Sequence, residues 1–200
     1  ELAYEKFSDH RPYAYYLSNS DHTDPTVASS TQGFEYDSRY LGIGSRGILG
    51  SDDVRYGVEL VGEWGRSYPS GTVAERENIK AYAFDLLLEY YFHHSTQPKL
   101  MFEYMFGSGD PDRVPGSSSV ATAAGNTAGS NDRAFNAFGY RDTGIALAPA
   151  ISNLHIYSGG ASLFPFIDSL QFKELEAGGK VFFYSKHRDG GAISDTTATN

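Results

Sequence analysis

The chain has no cysteine, a single tryptophan, two methionines and fewer basic than acidic residues. Without cysteine there is no disulfide framework and no cysteine-type zinc site. Sixteen Lys and Arg stand against 25 Asp and Glu, a formal net charge of -9, which argues against a nucleic-acid partner, whose phosphates need a basic surface. Long apolar runs are also missing. The best candidate, Ala81 to Phe92, is interrupted by Asp85 and Glu89 and falls short of the ~18 consecutive apolar residues of a membrane helix. No glycine-rich phosphate loop, nucleophile elbow or HExxH motif occurs, so no enzyme class is indicated and no cofactor is expected.

What the chain does have is glycine (22), tyrosine (15) and phenylalanine (13), arranged in period-2 alternation between polar clusters. Within 200 residues this predicts an all-β, antiparallel protein in one domain over 1–200. A first strand opens at Arg11-Pro12-Tyr13-Ala14-Tyr15-Tyr16-Leu17, with Tyr13, Tyr15 and Leu17 on one face. Pro12 suits a strand start, where its missing N–H costs least. A second runs roughly from Phe34 to Ile48, with Leu41, Ile43 and Leu49 on one parity and Gly42 and Gly44 on the other. After the turn Gly50-Ser51-Asp52-Asp53, Val54, Tyr56, Val58, Leu60 and Trp64 line one face of a third strand; Arg55, Glu59 and Glu63 line its opposite face. The fourth alternates most clearly: Tyr82, Phe84, Leu86, Leu88, Tyr90 and Phe92 against Ala81, Ala83, Asp85, Leu87, Glu89 and Tyr91. A helix is the rival there, since Asp85 and Glu89 are four apart. His93 to Pro98 connects to a fifth strand carrying Leu100, Phe102, Tyr104 and Phe106. Two more strands are expected around Leu154 to Phe164 and Leu175 to Lys186.

Connection lengths alternate too. Polar loops at about 21–33, 67–77 and 107–142 follow the first, third and fifth strands, and short turns follow the second and fourth. The longest holds the low-complexity stretches 116–119 and 123–126, and a loop of that length marks function or disorder. Long loops at one end and short turns at the other, joined to strands of ten or more residues, predict an antiparallel transmembrane β-barrel in an outer membrane. A soluble β-rich module shows the same alternation. Lipid is favoured by strand length, by Tyr near the strand ends and by ionisable residues in mid-strand, which a watery lumen tolerates and hydrocarbon does not. The set Tyr82, Phe84, Leu86, Leu88, Phe102 and Phe106 is therefore expected to face lipid. The lumen or solute pathway is assigned to Arg39, Arg55, Glu59, Glu63, Asp85, Glu89, Lys99, Glu103, Glu176 and Lys180, with Lys80 and Lys186 as further basic counterparts. This acid-heavy set predicts cation preference.

Other chemistry is thin. Asp110-Pro111-Asp112-Arg113 could offer carboxylates to Ca²⁺ or be a turn at a strand end. His93 and His94 are adjacent and would point to opposite faces of a strand, which fits a turn better than a metal site. Glu59, Glu63 and Glu103 invite a glycosidase reading, but residues four apart on a strand are ~13 Å apart, beyond the ~5–9.5 Å of a carboxylate pair.

In order along the chain, several segments resemble the bacterial alginate-export family of outer-membrane barrels: Arg11-Pro12-Tyr13-Ala14-Tyr15-Tyr16-Leu17, Tyr36-Asp37-Ser38-Arg39-Tyr40-Leu41-Gly42, Tyr56-Gly57-Val58-Glu59-Leu60-Val61-Gly62-Glu63, Phe102-Glu103-Tyr104-Met105-Phe106-Gly107-Ser108-Gly109-Asp110-Pro111-Asp112-Arg113 and Leu147-Ala148-Pro149-Ala150-Ile151-Ser152-Asn153-Leu154-His155. The resemblance implies a larger barrel of roughly 16–18 strands, of which this chain would be the C-terminal part. It also implies passive export of a polysaccharide across the bacterial outer membrane, with a lipid bilayer, the polysaccharide or another polar solute, and periplasmic export proteins as partners. Both chain ends read as cut, in keeping with a piece of a longer barrel. The family's basic pathway for an anionic uronate polymer contrasts with the acid-heavy set above. The competing functions are a soluble β-rich carbohydrate-binding module, separable by detergent dependence, a barrel enzyme, and a structural porin-like outer-membrane protein.

Overall fold

A computed structural model describes residues 2–3, 9–20, 36–67, 76–112, 129–137, 141–145 and 147–193. The loop expected at 21–33, residues 68–75 of the loop expected at 67–77, the start of a strand at Phe34, the low-complexity stretches 116–119 and 123–126, Arg113 and the tail 194–200 lie outside the described residues. Eight strands form one antiparallel sheet in sequence order: β1 (Leu2–Ala3), β2 (His10–Asn19), β3 (Tyr36–Leu49), β4 (Ser51–Ser67), β5 (Glu77–Tyr91), β6 (Lys99–Gly107), β7 (Leu154–Leu163) and β8 (Ala177–Lys186). The sheet is open: β1 and β8 are its edges. There is no helix among the described residues, so the segment from Ile79 to Tyr91 resolves as strand, with Phe92 opening the connection that follows. The β-rich composition of its flanks outweighs the i, i+4 spacing of its two acids.

Each strand pairs with its successor, as connections of hairpin type require. Gly50, at φ 76°, makes the tight β3–β4 turn, and a register shift at Ile48/Leu49 precedes it. Residues 92–98 join β5 to β6. The interval after β6 runs from 108 to 153: beyond the loop expected at 107–142, the described residues between Thr143 and Asn153 are not strand. The last strand begins at Ala177 rather than Leu175, after turns across 165–174.

Register divides the sheet into two chemically different faces. One carries Leu41, Ile43, Leu60, Tyr82, Phe84, Leu86, Leu88, Leu100, Phe102, Tyr157, Val181 and Phe183. Many of these side chains are open, Val181 at 58% and Phe183 at 66%. The other face carries most of the ionisable residues, yet it also holds most of the core. One cluster joins Tyr40, Val61, Ala81 and Ala83 to Phe135; the other joins Met105, Leu154 and Ile156 to Ile151. Phe135 and Ile151 both belong to the interval between β6 and β7. That interval therefore lies on the charged face and buries it.

The reason lies in unequal strand length. β6 has nine residues and β5 fifteen, and their pairing ends at Ala83↔Gly107. The edge of β5 beyond Ala83 would be left with bare N–H and C=O groups, a template for unwanted pairing. The interval fills it. Asp132 N–H donates to Asn78 O at 2.9 Å, and Lys80 N–H donates to Asp132 O at 2.8 Å. Ser108 N–H donates to Tyr82 O, and Tyr82 N–H donates to Ser108 Oγ, each at 2.9 Å.

Candidate functional site

The charged face is built from rows of cross-strand partners. The central row runs Tyr13 (β2), Gly44 (β3), Glu59 (β4), Asp85 (β5) and Met105 (β6). Glu59 and Asp85 stand directly opposite one another, an unfavourable pairing of like charges in a bare sheet. Three groups from elsewhere offset it. Tyr13 and Tyr15 reach across β3 and donate to Glu59 at 2.6 and 2.8 Å. Arg141, from the β6–β7 interval, lies 2.9 Å from Asp85 and 3.4 Å from Glu59.

The tyrosines cross β3 only because that strand offers no side chain beneath them. A Cβ on Gly42 would sit 2.2 Å from the Tyr15 ring, and one on Gly44 2.5 Å from the Tyr13 ring. Tyr13 and Tyr15, which parity already placed together, thus lie on the charged face.

A second charged group sits toward the other edge. Lys180 (β8) contacts Glu103 (β6) at 2.9 Å and Asp142 of the interval at 3.2 Å. Burial pushes the Asp142 carboxyl up, but the hydrogen bonds from Lys180 and from Gly144 N–H outweigh it and hold it below its ordinary range. Adjacent interval residues of opposite sign, Arg141 and Asp142, therefore meet wall charges of opposite sign. Near the short-turn end, Lys99 lies 3.7 Å from Glu89 and 3.8 Å from Glu176. Arg55 stacks over the Tyr91 ring at 4.5 Å and Lys180 over Phe182 at 4.8 Å, favourable cation–π placements.

Glu63 has a different environment. It is 3% exposed, accepts from Tyr36 and Tyr40 hydroxyls at 2.8 Å each, and accepts from Asn136 N–H at 2.8 Å. It anchors the interval to the wall and is covered by it.

Register brings together Arg55, Glu59, Glu63, Asp85, Glu89, Lys99, Glu103 and Lys180 on one face, and Lys186 with them. Glu176 precedes β8 and joins them through Lys99. Arg39 does not belong there. It pairs with Trp64, which pairs with Lys80, so both basic residues lie on the apolar face. The cause is parity: Arg39 is two residues from Leu41, and Gly42 and Gly44 mark the other side. Sequence reasoning missed Arg141 and Asp142 because only long-range folding of the interval delivers them. The wall they meet is correspondingly mixed in charge rather than acid-heavy.

Asp110 is buried and uses both carboxylate oxygens on backbone donors: Oδ1 accepts from Asp112 N–H at 2.9 Å and Oδ2 from Arg133 N–H at 2.8 Å. That is the turn-forming role of an aspartate. His93 and His94 lie in the 92–98 connection, His93 2.6 Å from Asp53. Among the described residues, no group of three or more His, Cys, Asp or Glu is placed to hold a metal ion. Compared with family models and with curated proteins, the chain matches none.

Proposed function

We propose that this chain is part of the wall of a bacterial outer-membrane β-barrel that passes a polar solute. One observation carries the reading: the face bearing Leu41, Ile43, Leu60, Phe102, Val181 and Phe183 is broad, apolar and exposed, while the chain packs its core on the charged side. In water that arrangement is inverted, since exposed apolar fields of this extent are rare on soluble monomers. In lipid it is the required one, with an apolar band outside and a polar lumen within. Strand length agrees: β4, with 17 residues, exceeds the ~9–11 needed to cross hydrocarbon when tilted.

On this reading the barrel is completed by further strands, the long connections lie outside the cell, and the β6–β7 interval lines the lumen. Charged and aromatic groups alternate along the pathway, including Tyr13, Tyr15, Glu59, Asp85, Arg141, Tyr91, Lys180 and Phe182. Half-buried rings beside ion pairs suit a polymer of sugars, which offers C–H faces and hydroxyls. Because the wall's carboxylates are largely matched by cations, a neutral or weakly charged polysaccharide fits better than a dense polyuronate. This narrows the alginate-export-like function implied by the resemblance. The role is transport, with no catalytic step.

The test uses the full-length protein. It should need detergent, insert into vesicles and give discrete conductance steps in a planar bilayer. A protein that stays soluble without detergent and is absent from membranes would show the reading to be wrong.

A further inference from the structure

At the long-loop end of the apolar face the chemistry changes abruptly. One row runs Leu41, Gly62 and Tyr82; the next runs Arg39, Trp64 and Lys80; the one beyond runs Asp37, Arg66 and Asn78. Arg39, Arg66 and Lys80 are exposed and share the outward face with Trp64. Neighbouring strands are ~4.8 Å apart, so Arg39 and Lys80 are about 10 Å apart at their Cα atoms. All three cations, with Trp64, line a cleft of ≈ 400 Å³. The carboxylate lining the cleft is Asp37, and Arg76 occupies it at 2.5 Å.

On the charged face several cations are matched. Lys99, Arg141 and Lys180 are ion-paired, while Arg46 and Arg55 lie over tyrosine rings. Arg39, Arg66 and Lys80 make no side-chain ion pair among the described residues. In a chain of net charge -9, three cations on one outward patch, without a side-chain ion pair among the described residues, make a site complementary to an anion. Their height identifies it. Arg39 and Lys80 sit directly above the apolar band, level with Trp64 and one row above Tyr82, with Arg66 one row beyond; Trp64 touches Tyr16 with ring centroids 6.3 Å apart. Aromatic rings of this kind mark the boundary between hydrocarbon and headgroups. At that level the available anions are lipid phosphates, which Arg binds in a planar fork and Lys as a point charge.

We propose that the cleft bounded by Arg39, Trp64, Arg66 and Lys80 binds the phosphorylated headgroup of a lipid in the outer leaflet. The acyl chains would lie down the apolar face over Leu41, Ile43 and Leu60, and Gly62 leaves room at the top of that track, since a Cβ there would touch nothing within 4 Å. This rests on the barrel reading, because only then is this face toward lipid and this end outward.

The experiment uses the full-length protein reconstituted in phosphatidylcholine vesicles and probed with lipid A, a diphosphorylated acylated disaccharide, and with its phosphate-free form. Wild type should retain the diphosphorylated form at least tenfold better than the phosphate-free one. Replacing three surface cations, Arg39→Gln, Arg66→Gln and Lys80→Gln together, should weaken retention roughly 100-fold. Arg39→Lys with Arg66→Lys should keep most of it. Millimolar inorganic phosphate should not displace the lipid. Equal retention of the two lipid forms by wild type would overturn the proposal without needing any variant to fold. So would unchanged retention in the triple variant, or displacement by free phosphate. In each of those cases the barrel reading stands if the protein conducts; failure to insert into vesicles at all would overturn both.

Discussion

Tyr15 lies across Gly42 with no room for a methyl group between them: the three atoms nearest a Cβ there all belong to the Tyr15 phenol, at 2.2 to 2.6 Å. Gly42→Ala should therefore push Tyr15 aside and break its hydrogen bond to Glu59, costing ~1–3 kcal/mol. The comparison is Gly57→Ala, where a Cβ would meet its nearest neighbours at 3.7 and 3.8 Å and should change stability by less than ~0.5 kcal/mol. Denaturant unfolding in micelles measures both. If the Gly42→Ala cost persists undiminished in a Tyr15→Ala background, the ring is not its cause. A second residue-scale effect concerns pH. Gly109 N–H donates to His187 Nδ1 at 3.1 Å, a bond open only to the neutral ring. Burial, then Arg188 and His155, lower the His187 pKa below its ordinary 6.5. A histidine depressed on folding contributes stability that is complete above about pH 6.5 and is lost as pH falls through the lower folded value. The unfolding midpoint should consequently fall on acidification below that point, and His187→Gln should flatten this part of the curve. Identical curves for the two proteins would dismiss the linkage.

At the scale of elements, the β6–β7 interval is held by one residue more than any other. Asn153 is fully buried at φ 56°, accepts from Arg188 N–H at 2.8 Å, and donates through Nδ2 to Arg188 O, Gly191 O and Ala192 O at 3.0, 3.0 and 3.3 Å. Its own N–H donates to Ser108 O at 3.1 Å. It thus clasps the end of β6, the start of β7 and the chain leaving β8. Asn153→Ala leaves several buried groups unpaired and removes the amide that makes Asn tolerant of positive φ, a loss of at least ~2 kcal/mol. Limited proteolysis should then cut within 108–153 faster while the strands stay protected; unchanged cleavage would count against the clasp. None of this was legible beforehand. Strands were, because a period of two survives in Tyr82 to Phe92 and Val54 to Trp64 whatever they pack against. Their faces were mostly legible too, since Glu59, Asp85 and Glu103 share parity with their own neighbours. Arg39 was misplaced because its charge was weighed above its distance from Leu41. The alternation of Gly42 and Gly44 did carry a readable signal that something large crosses β3. The seating of Arg141 and Asp142 did not, because it depends on β5 outrunning β6, a mismatch of strand lengths that shows only once register is known.

For the whole molecule the consequence is electrical. In the proposed pore, Glu59, Asp85, Glu89 and Glu103, taken as a bare wall, would form an acidic lumen that favours cations. The folded chain opposes them with Arg141, Lys99 and Lys180 at 2.9 to 3.7 Å. Arg141 has the most leverage. It is one charge set between two carboxylates, it comes from a connection rather than the wall, and Asp85 keeps a buried oxygen, Oδ1, without a hydrogen-bond partner. In the proposed pore, wild type should show weak ion selectivity. Arg141→Gln removes one positive charge and releases the facing pair Glu59 and Asp85, so the reversal potential in a salt gradient should move toward cations. Glu59→Gln in that background should bring it back part of the way. Lys180→Gln should shift selectivity in the same direction through Glu103, but by less, because Asp142 is released with it in a more exposed position. These are comparisons within one conducting barrel, so a pore that never forms is distinct from a pore indifferent to Arg141. Strong cation preference in the wild type, unchanged by Arg141→Gln, would mean that the interval does not govern the charge seen by a passing solute.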